Sequence, residues 1–278
     1  KIKSFAILFL LLNYSKEYKN NMKKVRAKKF LGQHFLKDKT IAKKIVNLLN
    51  NENNTTLEIG PGMGILTEFL IKQKKDLEVI EIDSESVDYL IKRYPFLKKK
   101  IRNHDFLKLD IKKNYQKKIS IIGNFPYNIS SQILFKILEN RNQIYEIVGM
   151  LQKEVADRIC SEKGKKKGIL SVLIQTFYTT EYCFTVESNV FHPVPKVRSG
   201  VIKLTRNKRN KVDCSYEMYV RVIKACFNQR RKTLRNALKV FNLPNTEEIS
   251  VYLKLRAEQL SCEDFIKITL HVEKNYNK

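Results

Sequence analysis

The chain is poor in glycine and proline, with nine and six among 278 residues, which excludes a collagen-like or proline-rich protein. Acidic residues are also scarce: 28 Asp and Glu stand against 54 Lys and Arg, and the net charge is +26. This surplus favours a polyanionic partner such as nucleic acid. Two simpler causes stay open, because AT-rich codons inflate lysine content and a basic surface can simply be solvated. Hydrophobic residues make up 43% of the chain, enough to bury a core.

No two cysteines stand at C-x-x-C spacing, and their number, five, is odd. Both facts argue against a disulfide framework and against a zinc site. We interpret all five as small buried hydrophobic side chains in a protein of a reducing compartment: Cys160, Cys183, Cys214, Cys226 and Cys262.

The first 21 residues differ in character from the rest. Their apolar run, from Phe5 to Leu12, is eight residues long and too short to cross a bilayer, so no membrane partner is expected. The run also fits the apolar region of a signal peptide, but no cleavage site of small residues, as a signal peptide needs, follows it cleanly. We expect residues 1–21 to be an upstream extension ahead of a start at Met22, with an organelle-targeting leader as the alternative.

From residue 40 onward, amphipathic helices alternate with short apolar strands. Helices are predicted over 40–50, 65–72, 84–94, 130–140 and 153–162. Strands are predicted over 55–60, 77–83, 100–106, 119–127, 145–152 and 197–207. The segment 168–186 is apolar and β-rich, although its first half also fits a helix. This alternation is typical of an α/β fold, a parallel sheet wrapped by helices, with ligands bound at the carboxyl ends of the strands.

After residue 207 the apolar periodicity becomes helical throughout. Helices are predicted over 217–227, 230–241, 247–255 and 261–274. We therefore expect an α/β domain over residues 22–207 and a small all-α C-terminal domain over residues 208–278.

Three features at predicted strand ends point to a nucleotide-type cofactor. Gly60, Gly62 and Gly64 follow the first strand, and glycines let a backbone approach a nucleotide closely. This is not the G-x-G-x-x-G spacing, and a tight turn is the alternative. Glu81 ends the second strand, where a carboxylate accepts hydrogen bonds from ribose hydroxyls. Asp83 is a nearby competitor, and an acid that complements a helix N-terminus is the alternative, which suits Asp83 better. Asp105 follows the third strand, where it either accepts from an adenine amino group or caps a helix.

The sharpest motif is Asn124-Phe125-Pro126-Tyr127 at the end of the fourth strand of the alternating series. The lone pair of a nucleobase amine is delocalised into its ring, so the amine needs oriented acceptors before it can attack. The Asn124 side-chain carbonyl and a backbone carbonyl before or at Pro126 each accept one N–H. Tyr127 offers a stacking face for the base. The alternative is a proline-containing turn with a buried tyrosine.

Basic residues cluster in the C-terminal part beside the apolar residues Leu234, Ala237 and Leu238. A basic face over a packed face suits phosphate groups, with a solvated helix surface as the alternative. These basic residues are the candidate RNA contacts: Arg230, Arg231, Lys232 and Arg235. The basic loop 164–168 is interpreted as solvated.

Together these motifs resemble the rRNA adenine N6-dimethyltransferase family, the KsgA type, from Met22 to the C-terminus. Residues 28–36 are similar to the family's G-Q-N-F-L segment, residues 191–197 to its F-x-P-x-P-K-V segment, and residues 227–236 to its C-terminal signature. The chain departs from the family pattern at His34 in place of Asn, at Lys167 in place of Tyr, and at Arg198 in place of Asp. These departures affect loop geometry and RNA contacts, not the reaction.

The resemblance implies a Rossmann-like class I S-adenosylmethionine-dependent methyltransferase with a small all-α C-terminal domain. It implies S-adenosylmethionine as cofactor, with contacts from His34, Leu36, Gly60, Gly62, Glu81, Asp105 and Asn124. Glu81 is expected at the ribose and Asp105 at the adenine of the cofactor. Catalytic roles fall on Asn124, Phe125, Pro126, Tyr127 and Phe191, with Phe191 stacking on the target base.

We therefore expect direct transfer of methyl groups to N6 of two adjacent adenines near the 3′ end of small-subunit rRNA, without a metal. The protein is expected to act as a monomer in the bacterial cytoplasm, on rRNA or a small-subunit precursor. Alternatives are a large-subunit enzyme of the erythromycin-resistance type and a non-catalytic ribosome-assembly or transcription factor of the same fold. An NAD-dependent oxidoreductase is weaker, because the glycine spacing is wrong for it.

Overall fold

The computed structural model describes residues 25–50, 55–73, 76–242 and 247–276. The predicted extension over residues 1–21 and the predicted start at Met22 lie outside these ranges. Within them, no helix is both long and apolar enough to cross a membrane.

In the described ranges, nine strands form two sheets. In chain order they are β1 (Phe35–Leu36), β2 (Thr55–Ile59), β3 (Leu77–Glu81), β4 (Ile101–Asn103), β5 (Ile119–Asn124), β6 (Ile144–Gln152), β7 (Tyr178–Val186), β8 (Phe191–His192) and β9 (Ser199–Arg206). The large sheet has the order β4-β3-β2-β5-β6-β9-β7, and β1 pairs with β8 in a separate two-stranded sheet.

The predicted parallel sheet is confirmed for five strands, β2 to β6. Of the remaining two strands only β9 is reversed: it runs antiparallel to both of its neighbours, β6 and β7, so β7 keeps the direction of β2 to β6. The reason lies in the connections: a loop, not a helical crossover, joins β7 to β9, and antiparallel neighbours can be joined without a crossover.

Helices cover both faces of the sheet and continue beyond its last strand. In chain order they are α1 (Lys39–Val46), α2 (Ile65–Lys72), α3 (Ser84–Arg93), α4 (Ile111–Asn114), α5 (Ser130–Glu139), α6 (Lys153–Cys160), α7 (Ile169–Phe177), α8 (Tyr216–Asn228), α9 (Leu234–Ala237), α10 (Glu247–Leu253) and α11 (Cys262–Tyr276). The ambiguous stretch 168–186 divides into α7 and β7.

Two hydrophobic clusters lie on opposite faces of the sheet. Successive side chains of a strand point to opposite faces, and along β5 Ile121 belongs to one cluster and Ile122 to the other. The cluster containing Ile121 extends into the C-terminal helices through Tyr219 and Phe265. The hydroxyl groups of Tyr219 and Thr176 lie 2.8 Å apart across this contact, which joins α8 to α7. The C-terminal helices and the sheet therefore share one core.

Candidate active site

The turn between β2 and α2 leaves part of its backbone accessible to a ligand. Gly60, Gly62 and Gly64 all have positive φ angles, of 63°, 55° and 77°. A Cβ at Gly62 would lie 2.6 Å from the ring of Phe35, so a side chain is excluded there. Beside Gly60 the nearest heavy atom to such a Cβ is Pro126 Cδ, at 4.0 Å. The backbone at Gly60 can therefore be approached by a ligand.

Glu81, the last residue of β3, ties this turn to the neighbouring strand. Its Oε2 accepts from the backbone N–H of Gly62 at 3.1 Å, and its Oε1 from that of Asp83 at 2.9 Å. The residue is 4% exposed, and burial raises the pKa of its carboxyl group. Because each carboxylate oxygen has two lone pairs, both oxygens can still accept from a hydroxyl group in the cavity.

A cavity open to solvent, with about 450 Å³ of empty space, lies at the carboxyl ends of β2, β3 and β5, the edge predicted for a ligand site. It brings together eight of the predicted site residues: His34, Gly60, Gly62, Glu81, Asn124, Phe125, Pro126 and Tyr127.

Asn124 ends β5 with its amide in a fixed orientation. Its Nδ2 donates to the backbone carbonyl of His34 at 2.8 Å. The carbonyl Oδ1 accepts no hydrogen bond from the described part of the chain. The amide plane is thus held so that one acceptor is available in the cavity, as the predicted role requires.

Phe125 and Pro126 differ in the state of their carbonyl groups. The Pro126 carbonyl accepts from the N–H of Ile129 at 3.2 Å, while no described residue donates to that of Phe125. The Phe125 N–H donates to Met150 at 2.9 Å, and its buried side chain fills the space above Gly149. Of the two backbone carbonyls that the sequence left open, that of Phe125, the residue before the proline, is therefore the one still available to accept a hydrogen bond.

Tyr127 forms an aromatic pair with His34. Their ring centroids lie 5.2 Å apart with an interplanar angle of 30°. The phenol oxygen of Tyr127 lies 2.6 Å from Ser199 Oγ, and burial raises the pKa of the phenol. His34 Nδ1 lies 2.7 Å from the carbonyl oxygen of Pro193, which makes Nδ1 the donor. Both rings are thus held by hydrogen bonds at their polar ends.

Three predicted residues do not line this cavity. Leu36 is buried in β1, with its side chain in the hydrophobic cluster of one sheet face. Asp105 acts as the helix cap that the sequence left as its alternative: its carboxylate accepts from the N–H of Leu107 at 2.8 Å. It remains near the predicted edge, because the N–H of His104 donates to the carbonyl of Glu81 at 3.0 Å.

Phe191, predicted to stack on the target base, is the third residue outside the cavity lining. The side chain is 0% exposed and belongs to a hydrophobic cluster. Phe191 lies in β8 opposite Leu36 of β1, and His192 lies opposite Phe35. Strand pairing, which the sequence motif does not reveal, turns the ring into the core.

Five cavity residues were not singled out by the sequence: Leu31, Gly32, Gln33, Phe35 and Ile82. Four of them directly precede or follow His34, so membership of that segment was their signal. Ile82 follows Glu81 and is 50% exposed. An apolar residue left exposed beside a buried carboxylate suits a flat ligand, and its position after β3 was the available signal.

The segment before His34 is anchored to the sheet edge through Asp83. The Asp83 carboxylate accepts from Lys28, from Gln33 Nε2 at 3.2 Å and from Ser86 Oγ at 3.0 Å. Burial acts to raise the pKa of Asp83, but these donors outweigh it and hold the pKa below its usual value. The ionised carboxylate therefore fixes one wall of the cavity.

The candidate RNA contacts lie mainly in a turn, where the sequence predicted a helix over 230–241. α8 ends at Asn228 and α9 begins at Leu234, whose N–H donates to the carbonyl of Leu255 at 2.8 Å instead of to the preceding turn. This tertiary bond interrupts the predicted helix. The turn and the start of α9 hold the four basic residues: Arg230, Arg231, Lys232 and Arg235. Beneath them Leu234, Ala237 and Leu238 are buried as predicted.

The basic loop 164–168 lies against this turn. The guanidinium group of Arg230 donates to the backbone carbonyl of Lys165, and Lys163, Lys165 and Lys166 are exposed nearby in sequence. A loop that the sequence treated as merely solvated thus adjoins the candidate RNA contacts.

The sheet order, the glycine turn after β2 and the carboxylate ending β3 define a class I, S-adenosylmethionine-dependent methyltransferase fold. A crystal structure of a dimethyladenosine transferase from Plasmodium falciparum is similar, with a TM-score of 0.75 and 26% identity over 87% of this chain and 98% of that one. The 23S rRNA methyltransferase ErmE shares the fold, with a TM-score of 0.68 and 22% identity over 86% of this chain and 99% of that one.

The chain belongs to the ribosomal RNA adenine dimethylase family, which it matches over residues 24–274. It is 55% identical over 255 residues to the ribosomal RNA small subunit methyltransferase A of Flavobacterium johnsoniae, covering 91% of this chain and 98% of that protein. The protein of the same name from Cytophaga hutchinsonii is 52% identical over 252 residues, covering 89% and 98%.

Proposed function

We propose that this protein dimethylates N6 of two adjacent adenines near the 3′ end of small-subunit rRNA, with S-adenosylmethionine as the methyl donor. The observation that carries the proposal is the Asn124 amide in the cavity lining: its Nδ2 is bound to the His34 carbonyl, and its Oδ1 has no donor within the described chain. Family membership and the names of the bacterial relatives support the reaction and the choice of the small subunit.

The residues of the cavity fit S-adenosylmethionine. The open backbone at Gly60 admits the ligand, the buried carboxylate of Glu81 suits two ribose hydroxyls, and the exposed side of Ile82 suits an adenine ring. Asp105, at the same sheet edge, keeps its second carboxylate oxygen for the adenine amino group. When bound, the cofactor supplies a methyl group already activated on a sulfonium centre.

The protein's part in the reaction is to orient the amine of the target adenine. Asn124 Oδ1 and the carbonyl oxygen of Phe125 each accept one N–H, which directs the nitrogen lone pair toward the methyl carbon. S-adenosylmethionine, held in this cavity, would supply the methyl carbon for the new N–C bond, and its sulfur would keep the electron pair of the broken C–S bond. The N6 nitrogen then carries an extra proton and a positive charge. Because this cation is strongly acidic, it would lose the proton to water without a titratable base.

A target base must leave its stack before it reaches this acceptor pair, at a cost on the order of a few kcal/mol. Stacking on an aromatic face returns about 1–3 kcal/mol. Tyr127, with His34 beside it, provides that face in the cavity. Phe191 would have to leave the core to add a second face, so we assign stacking to Tyr127.

We propose that the helical region 208–278 forms a domain that holds the RNA through the turn at 229–233. Arg231 and Lys232 are exposed in this turn and Arg235 at the start of α9, and the contact of Arg230 with Lys165 adds the loop 164–168 to the same surface. Such clusters position an RNA backbone without reading its sequence. We propose that the protein acts as a monomer on a small-subunit precursor in the bacterial cytoplasm, as expected for an enzyme of ribosome maturation.

The test uses labelled S-adenosylmethionine and small ribosomal subunits that lack the modification. After reaction, the rRNA is digested and the labelled nucleoside and its position are identified by mass spectrometry. Dimethyladenosine near the 3′ end of small-subunit rRNA is expected. Label in large-subunit rRNA would favour the erythromycin-resistance type of activity, and tight subunit binding without label would favour a non-catalytic assembly factor.

A further inference from the structure

A second polar cleft, open to solvent and with about 770 Å³ of empty space, lies at the end of the large sheet opposite the active-site cavity. It forms where β5 and β6 begin and β9 ends: Lys118 directly precedes β5, and Arg206 is the last residue of β9. Asn124 stands at the other end of β5. Since β5 has six residues and a strand rises about 3.3 Å per residue, the two sites lie roughly 20 Å apart. We call this second site the distal cleft.

Among the described residues, the distal cleft is lined by positive and amide side chains together with Ile144 and Tyr145, and by no carboxylate. Its charged groups are Lys118, Arg141 and Arg206, and its other polar groups are Asn142, Asn207, Asn210 and Tyr145. None of the three cations forms an ion pair within the described ranges of the chain. The ordinary arrangement of a basic surface, cations interspersed with carboxylates, is therefore absent from this site.

Both guanidinium groups are held in place by groups that do not neutralise them. That of Arg141 lies over two adjacent aromatic rings, 4.4 Å from the centroid of Phe177 and 4.7 Å from that of Tyr216. That of Arg206 donates to the backbone carbonyl of Phe177 and to that of Arg209, the latter at 3.0 Å. Burial and the like charge of Arg141 lower the pKa of Arg206. Two fixed, neighbouring cations without a counterion favour binding of an anion.

We propose that the distal cleft binds the phosphate backbone of the substrate RNA, roughly 20 Å from the target adenine. The inference rests on the proposed function, which makes RNA the macromolecular substrate. Planar guanidinium groups match phosphate oxygens in pairs. The amide side chains and the Tyr145 ring can in addition contact ribose hydroxyls and a base edge, which a free phosphate ion does not offer.

Contact at both sheet edges has a consequence for substrate choice. A nucleoside or a short oligonucleotide fills the catalytic cavity alone, whereas a folded RNA or a ribosomal particle reaches the distal cleft as well. The distal cleft thus favours large substrates, through affinity and without a role in the methyl transfer itself.

The test is a charge-changing variant with Lys118→Glu, Asn142→Asp and Asn210→Asp. All three side chains are exposed, so the core stays intact, and the net charge falls by four. A control variant with Lys43→Glu and Lys92→Glu loses the same charge at two exposed sites away from both clefts. Binding to unmodified small subunits is measured over a range of salt concentrations, together with the methylation rate at saturating subunits.

We expect the distal-cleft variant to bind at least about tenfold more weakly than the control and to lose about two from the slope of log K against log salt. Its rate at saturating subunits should equal that of the control. Equal affinity and slope for the two variants would overturn the proposal. The proposal would also be overturned if the distal-cleft variant bound subunits as the control does but no longer bound inorganic phosphate in calorimetry. That result would indicate a site for a free anion. Failure of the proposed function would give a different result: the wild-type protein would bind subunits but would methylate no adenine.

Discussion

At the scale of single residues, the amide of Asn124 is the most direct test of the chemistry. Asn124→Ala removes the oriented acceptor, and we expect the methylation rate to fall by about 100-fold or more. Affinity for S-adenosylhomocysteine, measured by calorimetry, should change little. Asn128→Ala is the matched control, because Asn128 also donates its amide to a backbone carbonyl, that of Phe30, yet does not line the cavity. A parallel loss of cofactor affinity would assign Asn124 to cofactor binding instead.

Glu58 is a second residue whose state has a measurable effect. It is 0% exposed, its Oε2 accepts from Thr67 at 2.7 Å, and its Oε1 has no partner in the described chain. Burial raises the pKa of this carboxyl group to about 8. The folded protein therefore keeps Glu58 protonated at a pH where the unfolded chain has lost that proton.

The sign of the resulting pH dependence follows from proton binding. Between the unfolded pKa of about 4.3 and the folded value of about 8, the folded state binds more protons, so the free energy of unfolding contributed by Glu58 falls as pH rises. Glu58→Gln imitates the protonated acid at every pH. We expect its advantage in chemical denaturation to grow by about 1 kcal/mol or more from pH 5 to pH 8. A constant difference would mean that Glu58 is ionised in the fold.

At the scale of elements, the regular α/β alternation was predictable, because each short apolar strand and amphipathic helix has its own period. The α/β class and the family are confirmed. The reversed direction of β9 was not encoded in any period, since direction depends on the connection. The strands β1 and β8 have only two residues each, too few to show an alternation of apolar and polar residues. Because Phe191 lies in β8, the sequence did not predict its burial.

The candidate site was predictable where function needs special residue types at a strand end. Gly60, Glu81 and Asn124 follow three different strands, and the shared direction of those strands brings them to one cavity. Gln33 and Ile82 have no such chemical signature. Their place in the cavity depends on the ion pair of Lys28 with Asp83 and on the turn after β3, which are tertiary features.

The turn at 229–233 gives a prediction for RNA binding. Arg231→Ala, Lys232→Ala and Arg235→Ala remove three exposed charges and spare Arg230, which is bonded to Lys165. We expect weaker binding to small subunits and a slope of log K against log salt smaller by about two to three. Alanine at three exposed lysines elsewhere, Lys43, Lys92 and Lys112, is the control. Equal slopes would mean that the turn is only solvated.

Lys167, a departure from the family pattern, joins two elements. Its side chain is 1% exposed, and its ammonium group donates to the backbone carbonyls of Glu162 and Leu260, each at 2.7 Å. Burial lowers the pKa of this group. Lys167→Met leaves both carbonyls unpaired, so we expect the free energy of unfolding to fall by about 1–3 kcal/mol. The substitution Lys165→Met, at an exposed neighbour, should change the free energy of unfolding little. If both substitutions lowered it equally, the hydrogen bonds of Lys167 would not stabilise the fold.

At the scale of the whole molecule, cofactor binding is coupled to folding. The sheet and the C-terminal helices share one hydrophobic cluster, so we expect a single unfolding transition. S-adenosylhomocysteine at about 100 times its Kd should stabilise the wild-type protein by about 2.7 kcal/mol, visible as a higher melting temperature. Glu81→Ala should lose most of that shift at the same concentration. A full shift in this variant would contradict the ribose assignment.

The small sheet of β1 and β8 sets the order in which the active site is completed during synthesis. One cavity wall comes from the residues around Phe35, and that wall is paired with His192, more than half of the chain later. A nascent chain therefore cannot close its cofactor site until residue 192 has left the exit tunnel of the ribosome. Each molecule would acquire its activity only near the end of its own translation, and until then could not modify the kind of particle that is producing it.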